Sequence, residues 1–382
     1  MKEHIKWIDG VKGLACILVF WHHFCLAFLP GIHFGPFALS HMRGDLDIRL
    51  AQSPLSFVLN GNFMVAIFCV LSGFVLSMQI FGKSDAYISK IVFKRYFRLM
   101  LPIVPIAIVV ALLLNNGLFC NLQAAPYTGS GWFTSYYVAP ITLDRFIYSV
   151  LAGIWFYGDD TLSTAFWMLK TLFYGSFVAV LLSMVAKQMK KGVYLFLILF
   201  IAVLILANDM LWAFGFSVLI AYQRQQSKGR TYPAVGVICV ILGCVLGGYP
   251  SGVAPTNAYR FLNVLPPWYQ GFMLWHILGA GLLIWGLFQL QGICRGLSNR
   301  FFVFLGKISY AVYLIHIPLL FGLSAWLFLC FSQRGMSYLG SVGLSFVISN
   351  LMLVVLATLY HTFVEKNCNR LIDKCSRYFW GE

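Results

Sequence analysis

Ten residues separate Lys12 from His23 within one apolar run that opens Ile8-Asp9-Gly10-Val11-Lys12-Gly13-Leu14. In helical form the imidazole lies about 16 Å beyond the ammonium, at ~1.5 Å per residue. A titratable ring deep in hydrocarbon is costly and by default marks function. A cation at one mouth and a base further in suit a reaction in which an anionic donor enters from one side and its reactive end reaches the membrane interior. His316 repeats the arrangement. Lys307 precedes it by nine residues in Gly306-Lys307-Ile308-Ser309-Tyr310 through His316-Ile317-Pro318, about 13 Å by helical rise. Tyr310 and Tyr313 share a face there and are candidate partners. Each histidine also has a structural reading, an imidazole hydrogen-bonded between helices. His22 points about 100° away from His23, so only one of the two faces a shared interior easily.

Arg95 and Arg98, in Lys94-Arg95-Tyr96-Phe97-Arg98, are three residues apart and share a helix face. Paired guanidiniums suit a phosphate-bearing ligand. An ordinary cytoplasmic anchor touching lipid headgroups has the same composition. Glu365, just after His361, is the carboxylate near the end of the last apolar stretch, and pairing with an arginine of that cluster is its expected role. Asp9, three residues before Lys12, is expected to hold the lysine by a local ion pair. No metal site is expected: adjacent histidines chelate one ion poorly, and His361-Thr-Phe-Val-Glu365 does not match HExxH.

The elements that must position these groups are membrane helices. The chain has 382 residues, 60% hydrophobic and 10% charged, against roughly 25% charged in soluble domains. At ~20 apolar residues per span, candidate spans are 12–29, 57–81, 97–117, 164–186, 193–207, 209–222, 233–249, 270–290, 308–330 and 341–364. With both termini cytoplasmic, lysine and arginine gather on the inside. Arg43, Arg49, Arg145, Arg260 and Arg334 alone fall outside, and Lys170 falls within a span. Merging the fifth and sixth spans would misplace the later clusters, so Asn208-Asp209 is read as the tip of a short outer turn. These positions, rather than nucleic-acid binding, account for the net charge of +15. The expected fold is an all-α polytopic bundle of about ten spans, a single domain over 1–382. The lysines before the first span mimic a signal peptide, but no small-residue cleavage site follows, so the span is read as uncleaved.

Two outer loops are long, about 30–56 and 118–163. The second gathers Tyr127, Trp132, Tyr136 and Tyr137 with polar residues, a mixture that suits stacking on sugar rings and equally an interfacial aromatic belt. Within it, the apolar stretch Phe146–Tyr157 is too short to span and is expected to lie on or dip into the membrane. The ten cysteines show no CxxC pair; one disulfide among Cys25, Cys120 and Cys330 is possible on the outer side.

Five segments together resemble acyltransferase family 3, a family of integral membrane proteins. Ile-Asp-Gly-Val-Lys-Gly-Leu with His23 resembles its R/K-x10-H element. Phe68-Cys69-Val70-Leu71-Ser72-Gly73-Phe74 is similar to its F-x-L-S-G-F segment, and Lys94 to Leu99 with Pro102 to its R-x-x-R-x-x-P region. Gly306 to Pro318 resembles the late G-x-x-S-Y-x-x-Y-L-x-H-x-P element, and Tyr360 to Glu365 the terminal aromatic-x-x-V-E signature. One segment departs. Phe166 to Ser176, with Trp167 and Lys170, resembles W-x-L-x-x-E, but the glutamate position is Leu172.

The resemblance implies transfer of an acyl group, commonly acetyl, from cytoplasmic acetyl-CoA or another acyl-CoA to a hydroxyl of a cell-envelope glycan or lipid-linked sugar. The location implied is the bacterial inner (plasma) membrane, with lipids as neighbours and no permanently bound cofactor. Lys12, Arg95 and Arg98 would bind the donor, and His23 and His316 would be catalytic. Asp9, Tyr313, Glu365, Trp167 and Lys170 would orient. A transporter or flippase without chemistry shares the spans and buried polar groups. An inactive acyl-CoA-binding relative fits the apolar Leu172. The oligomeric state is left open.

Overall fold

The computed structural model describes residues 5–83, 85–207, 210–227, 229–251, 255, 259–265 and 271–381. Among these residues the secondary structure is helical, without strands. Seven helical stretches are long and apolar enough to cross a membrane: Lys6–Phe28, Gly61–Phe81, Tyr87–Asn115, Trp167–Gln188, Gly271–Gln289, Arg300–Gln333 and Tyr338–Trp380. The other three expected spans correspond to shorter helices, Val193–Leu206, Trp212–Gln226 and Pro233–Gly247. The fifth and sixth are separate helices, so the single long helix is excluded. Asn208 and Asp209, the expected turn between them, lie outside the described residues.

The chain forms two compact units, each assembled from three stretches. One comprises Met1–Leu18, Gln52–Ser89 and Thr171–Gly306. Its packing depends on small residues that let backbones approach, as membrane helices require where no aqueous hydrophobic effect drives them together. A Cβ on Gly13 would come within 2.4 Å of the Gly306 nitrogen, and one on Gly243 within 2.7 Å of the Gly279 carbonyl. The glycines flanking Lys12 in the sequence motif are therefore packing residues. Lys12 itself is half-buried.

The second unit comprises Val19–Ala51, Lys90–Lys170 and Lys307–Glu382, and it contains both candidate catalytic histidines. Its backbone breaks are closed by tyrosine hydroxyls. Pro102 and Pro105 have no N–H to donate, and the helix is interrupted between Met100 and Ile103. Tyr310 Oη donates to the Leu99 carbonyl at 2.5 Å, and Tyr360 Oη donates to the Pro102 carbonyl. In an apolar setting an unmet carbonyl is costly, so these bonds tie Arg300–Leu319 and Tyr338–Tyr360 to the helix that carries Arg95 and Arg98. Wide π turns occupy Ser149–Tyr157, Leu320–Ser324 and His361–Glu365, all in this unit. The turn at 320 follows Pro318, which removes one helical donor. The apolar stretch read as too short to span is the helix Leu143–Tyr148 running into the π turn Ser149–Tyr157.

Candidate active site

Lys6–Phe28 and Arg300–Leu319 bring His23 and His316 together, with ring centroids 5.1 Å apart. Each ring is fixed by its own helix. His23 Nδ1 lies 3.0 Å from the Val19 carbonyl four residues back. His316 Nδ1 lies 2.8 Å from the Tyr313 carbonyl and 3.3 Å from that of Val312. A carbonyl only accepts, so both Nδ1 atoms carry the proton and both Nε2 atoms carry a lone pair. His316 Nε2 is buried without a hydrogen-bond partner among the described residues. Two imidazoles thus set acceptor nitrogens in one apolar interior, within 5.1 Å of each other between ring centroids.

Aromatic rings enclose the pair. Trp132 stacks on His23 at 5.4 Å and 22°, and Phe321 meets Trp132 edge-on at 4.8 Å. Tyr313 lies 6.1 Å from His316 and donates its hydroxyl to the Ala165 carbonyl at 2.6 Å. Tyr310 stacks on Tyr313 at 6.2 Å and 12°, and the Arg95 guanidinium lies within electrostatic range of Tyr310. A continuous file, Arg95–Tyr310–Tyr313–His316–His23–Trp132, therefore runs through the unit.

The structure revises several expectations. His22 is also buried, so both members of the pair face inward; its ring meets His33 at 5.0 Å, a residue that sequence reading left in a loop. The difference arises because Gly31–Phe34 folds back over the end of the first helix. Burial, and then the proximity of His22, push His33 down to about 3. Glu365 pairs with His361 at 2.8 Å, four residues away on a π turn, not with the arginine cluster. The carboxylate that meets the cluster is Asp373, 2.8 Å from Lys94 and 3.3 Å from Arg98. The helix Lys366–Trp380 supplies it, held by Phe379 and Trp380 against Phe93. Trp167 and Lys170 lie on the exposed face of their helix, Lys170 beside Gly158, and take no part in the ring file. Cys25, Cys120 and Cys330 are free thiols. Asp9 and Lys12 belong to the first unit.

Leu172 is buried, and its carbonyl accepts from the Ser176 hydroxyl at 2.6 Å. Among the described residues, the titratable groups that act on His23 are His22, His316 and His33, none of them a carboxylate. Backbone carbonyls do the orienting work that a carboxylate performs in many imidazole sites. Sequence reading could not find this, because a carbonyl carries no side-chain signature.

The sequence matches an acyltransferase domain, that of acyltransferase family 3, over residues 5–360. The chain belongs to acyltransferase family 3. Among curated proteins it is similar to "Acyltransferase R4" of Phoma sp., 25% identical over 162 residues, and to "Acyltransferase clz18" of Cochliobolus lunatus, 30% identical over 167 residues. Each match covers 40% of this chain and 34% of the relative, so the chain spans about a third of the length of the relatives it matches. No solved structure matches the chain. The family and the apolar helices together make this acyltransferase family 3 member a multi-pass membrane protein.

Proposed function

We propose that this protein is a membrane O-acyltransferase that moves an acyl group, acetyl in the simplest case, from acyl-CoA to a hydroxyl of a cell-envelope glycan or lipid-linked sugar. The observation that supports this reading is the facing imidazole pair, with Nδ1 of each ring tied to backbone and the His316 Nε2 lone pair buried and without a partner among the described residues.

His23 Nε2 removes the proton from the acceptor hydroxyl as its oxygen bonds to the thioester carbonyl carbon. The carbon–sulfur bond then breaks, and the thiolate sulfur takes the proton back from Nε2. His316 Nε2 accepts a hydrogen bond from the acceptor and fixes its approach. Arg95 and Arg98 bind donor phosphates, bidentate geometry favouring guanidinium over ammonium. Lys12 is assigned to the donor, and Asp9 to orienting it, on the sequence pattern. Tyr313 holds His316 through its own backbone carbonyl. Glu365 fixes His361. The donor comes from the cytoplasm and the acceptor from the opposite face of the plasma membrane, past the 118–163 segment.

Purified protein with radiolabelled acetyl-CoA and a pool of envelope glycans is expected to release free CoA and label the glycan, and His23→Ala to abolish both. Turnover that survives in His23→Ala would sink the mechanism. Saturable solute uptake with no CoA release under any condition would favour transport.

A further inference from the structure

A cavity of about 360 Å³ opens in the second unit between Leu114, residues 135–142, Arg145 and the Asp160–Thr161 pair. It is separate from the imidazole pair but joined to it by two ring contacts: Tyr136 lines the cavity and meets Trp132 at 6.5 Å, and Trp132 stacks on His23. Its size falls in the range of pockets that enclose a small molecule, ~300–1,000 Å³.

The wall is pre-built rather than slack. Asn121 donates through Nδ2 to the Phe133 and Tyr136 carbonyls at 2.7 and 2.9 Å. Asn115 brackets Ile141, accepting its N–H at 2.8 Å and donating to its carbonyl at 3.1 Å. Tyr137 is held at φ 55°, a left-handed conformation that a bulky side chain seldom adopts. Strain of this kind persists where the surroundings over-determine it, and such positions gather at ligand sites. A wall fixed in advance lowers the ordering cost of binding.

The polar groups are those that grip vicinal hydroxyls. Tyr136 Oη donates to Asp160 Oδ2 at 2.9 Å. Arg145 reaches Thr161 Oγ1 at 2.9 Å and Asp159 at 3.0 Å. Asp159 is spent on structure, accepting from Ser149 and Thr161. Asp160, by contrast, lines the cavity as a half-buried carboxylate. A carboxylate, a guanidinium and a hydroxyl beside a tyrosine ring offer acceptors and donors to a polyol edge and a flat apolar surface to its face.

The geometry points to a second binding subsite here, one that holds a hydroxyl-rich ring distal to the ring being acylated. The acceptor is then at least two linked units long: one unit sits against Tyr136, Asp160 and Arg145 while its neighbour reaches His23. This rests on the transferase reading for what happens at His23, but the subsite is a binding claim and is tested as one.

The test applies full-length protein in detergent to a printed glycan array, with acetyl-CoA affinity measured on the same sample. Wild type is expected to bind oligosaccharides in preference to the matching single sugars. Ala139→Trp, which fills the cavity, and Asp160→Asn, which keeps the shape, are expected to weaken that binding about tenfold, the loss of one or two hydrogen bonds. Tyr136→Phe keeps the ring and serves as a milder variant should either of the others fold poorly. Acetyl-CoA affinity should not move. Binding to no glycan on the array, or binding that all three folded variants retain, overturns the subsite. Should that happen while acetyl-CoA still binds and His23-dependent CoA release persists, the transferase reading stands. If glycans bind through the cavity while acetyl-CoA does not bind, the transferase reading fails and the subsite stands.

Discussion

Two buried histidines in this molecule use the same chemistry in opposite ways. His276, in the first unit, anchors its Nε2–H on the Tyr249 carbonyl at 2.8 Å, and the Asn60 amide donates to that same carbonyl at 3.0 Å. Asn60 also caps the helix Gly61–Phe81. The ring therefore ties together two segments 27 residues apart, its ring neighbours include Phe63 and Phe272, and its buried Nδ1 has no hydrogen-bond partner among the described residues. His316 instead bonds to its own helix, three residues back, which links nothing distant. Its free nitrogen faces a second imidazole and a file of tyrosines. A histidine that joins remote segments among phenylalanines is a structural tie. His316 spends its donor locally and sets its ring beside another imidazole, the arrangement on which the proposed function rests.

Substitution breaks this comparison most sharply. His316→Ala is expected to lower kcat about 10²-fold, the usual cost of a misplaced reactant, with little change in unfolding temperature. His276→Ala is expected to leave the kcat of folded protein unchanged and to cost about 1 kcal/mol of stability through one lost hydrogen bond, since the Asn60 amide still donates to the Tyr249 carbonyl. Steady-state CoA release and thermal unfolding on the same preparations measure both. Equal kcat losses in the two variants would erase the distinction.

Next in size is the arginine end of the file, which the proposed function assigns to the donor. Arg95→Gln should raise KM for acetyl-CoA about tenfold, the worth of a charge-assisted hydrogen bond, with kcat less affected. Arg98→Gln should do less, because Arg98 is exposed and shares Asp373 with Lys94. The reverse order would relocate the phosphates.

A smaller effect is a pH limb. His33, against His22, is held at about 3 by burial and by that neighbour, whereas an unfolded chain protonates histidine near ~6.5. The unfolded state therefore binds the proton first on acidification. This contribution leaves stability undiminished above pH ~6.5 and lowers it progressively towards about 3. His33→Asn should flatten that limb in unfolding temperature measured against pH. An unchanged slope would remove His33 from the buried cluster. Asp159 acts at lower pH. Burial opposes its charge, but hydrogen bonds from Thr161 and Ser149 and the Arg145 cation outweigh burial and hold it low. Its stabilisation is present above the ordinary carboxylate range and lost below it.

The smallest expected effect is Asp373→Asn. The pair is partly exposed, so screening limits the stability change to within about 1 kcal/mol. Donor KM should fall, because Lys94 and Arg98 lose their internal anion. A rise would mean that Asp373 orients the arginines for the donor.

Helix existence was legible throughout, because apolar runs of span length and the sorting of lysine and arginine are one-dimensional signals. The separation of Val193–Leu206 from Trp212–Gln226 followed from charge placement alone. His23, His316, Tyr310 and Tyr313 were legible as well, since helical spacing fixes depth and face. The partners of Glu365 and Arg98 were not. Glu365 turned to His361 because a π turn intervenes, and Asp373 reaches Arg98 across 275 residues and also pairs with Lys94. His33 was hidden because it lies in a short helix whose fold-back no periodicity announces.

The sequence by itself determined that this chain is a set of membrane helices carrying two deep imidazoles and a cationic helix, because hydropathy, charge bias and helical rise are properties of consecutive residues. The tertiary structure decided which nitrogen of each ring holds the proton, that backbone carbonyls of Val19 and Tyr313 orient the two rings, and that Trp132 closes over His23. Those outcomes depend on which atoms come within about 3 Å of one another, a distance that spacing along a chain does not encode.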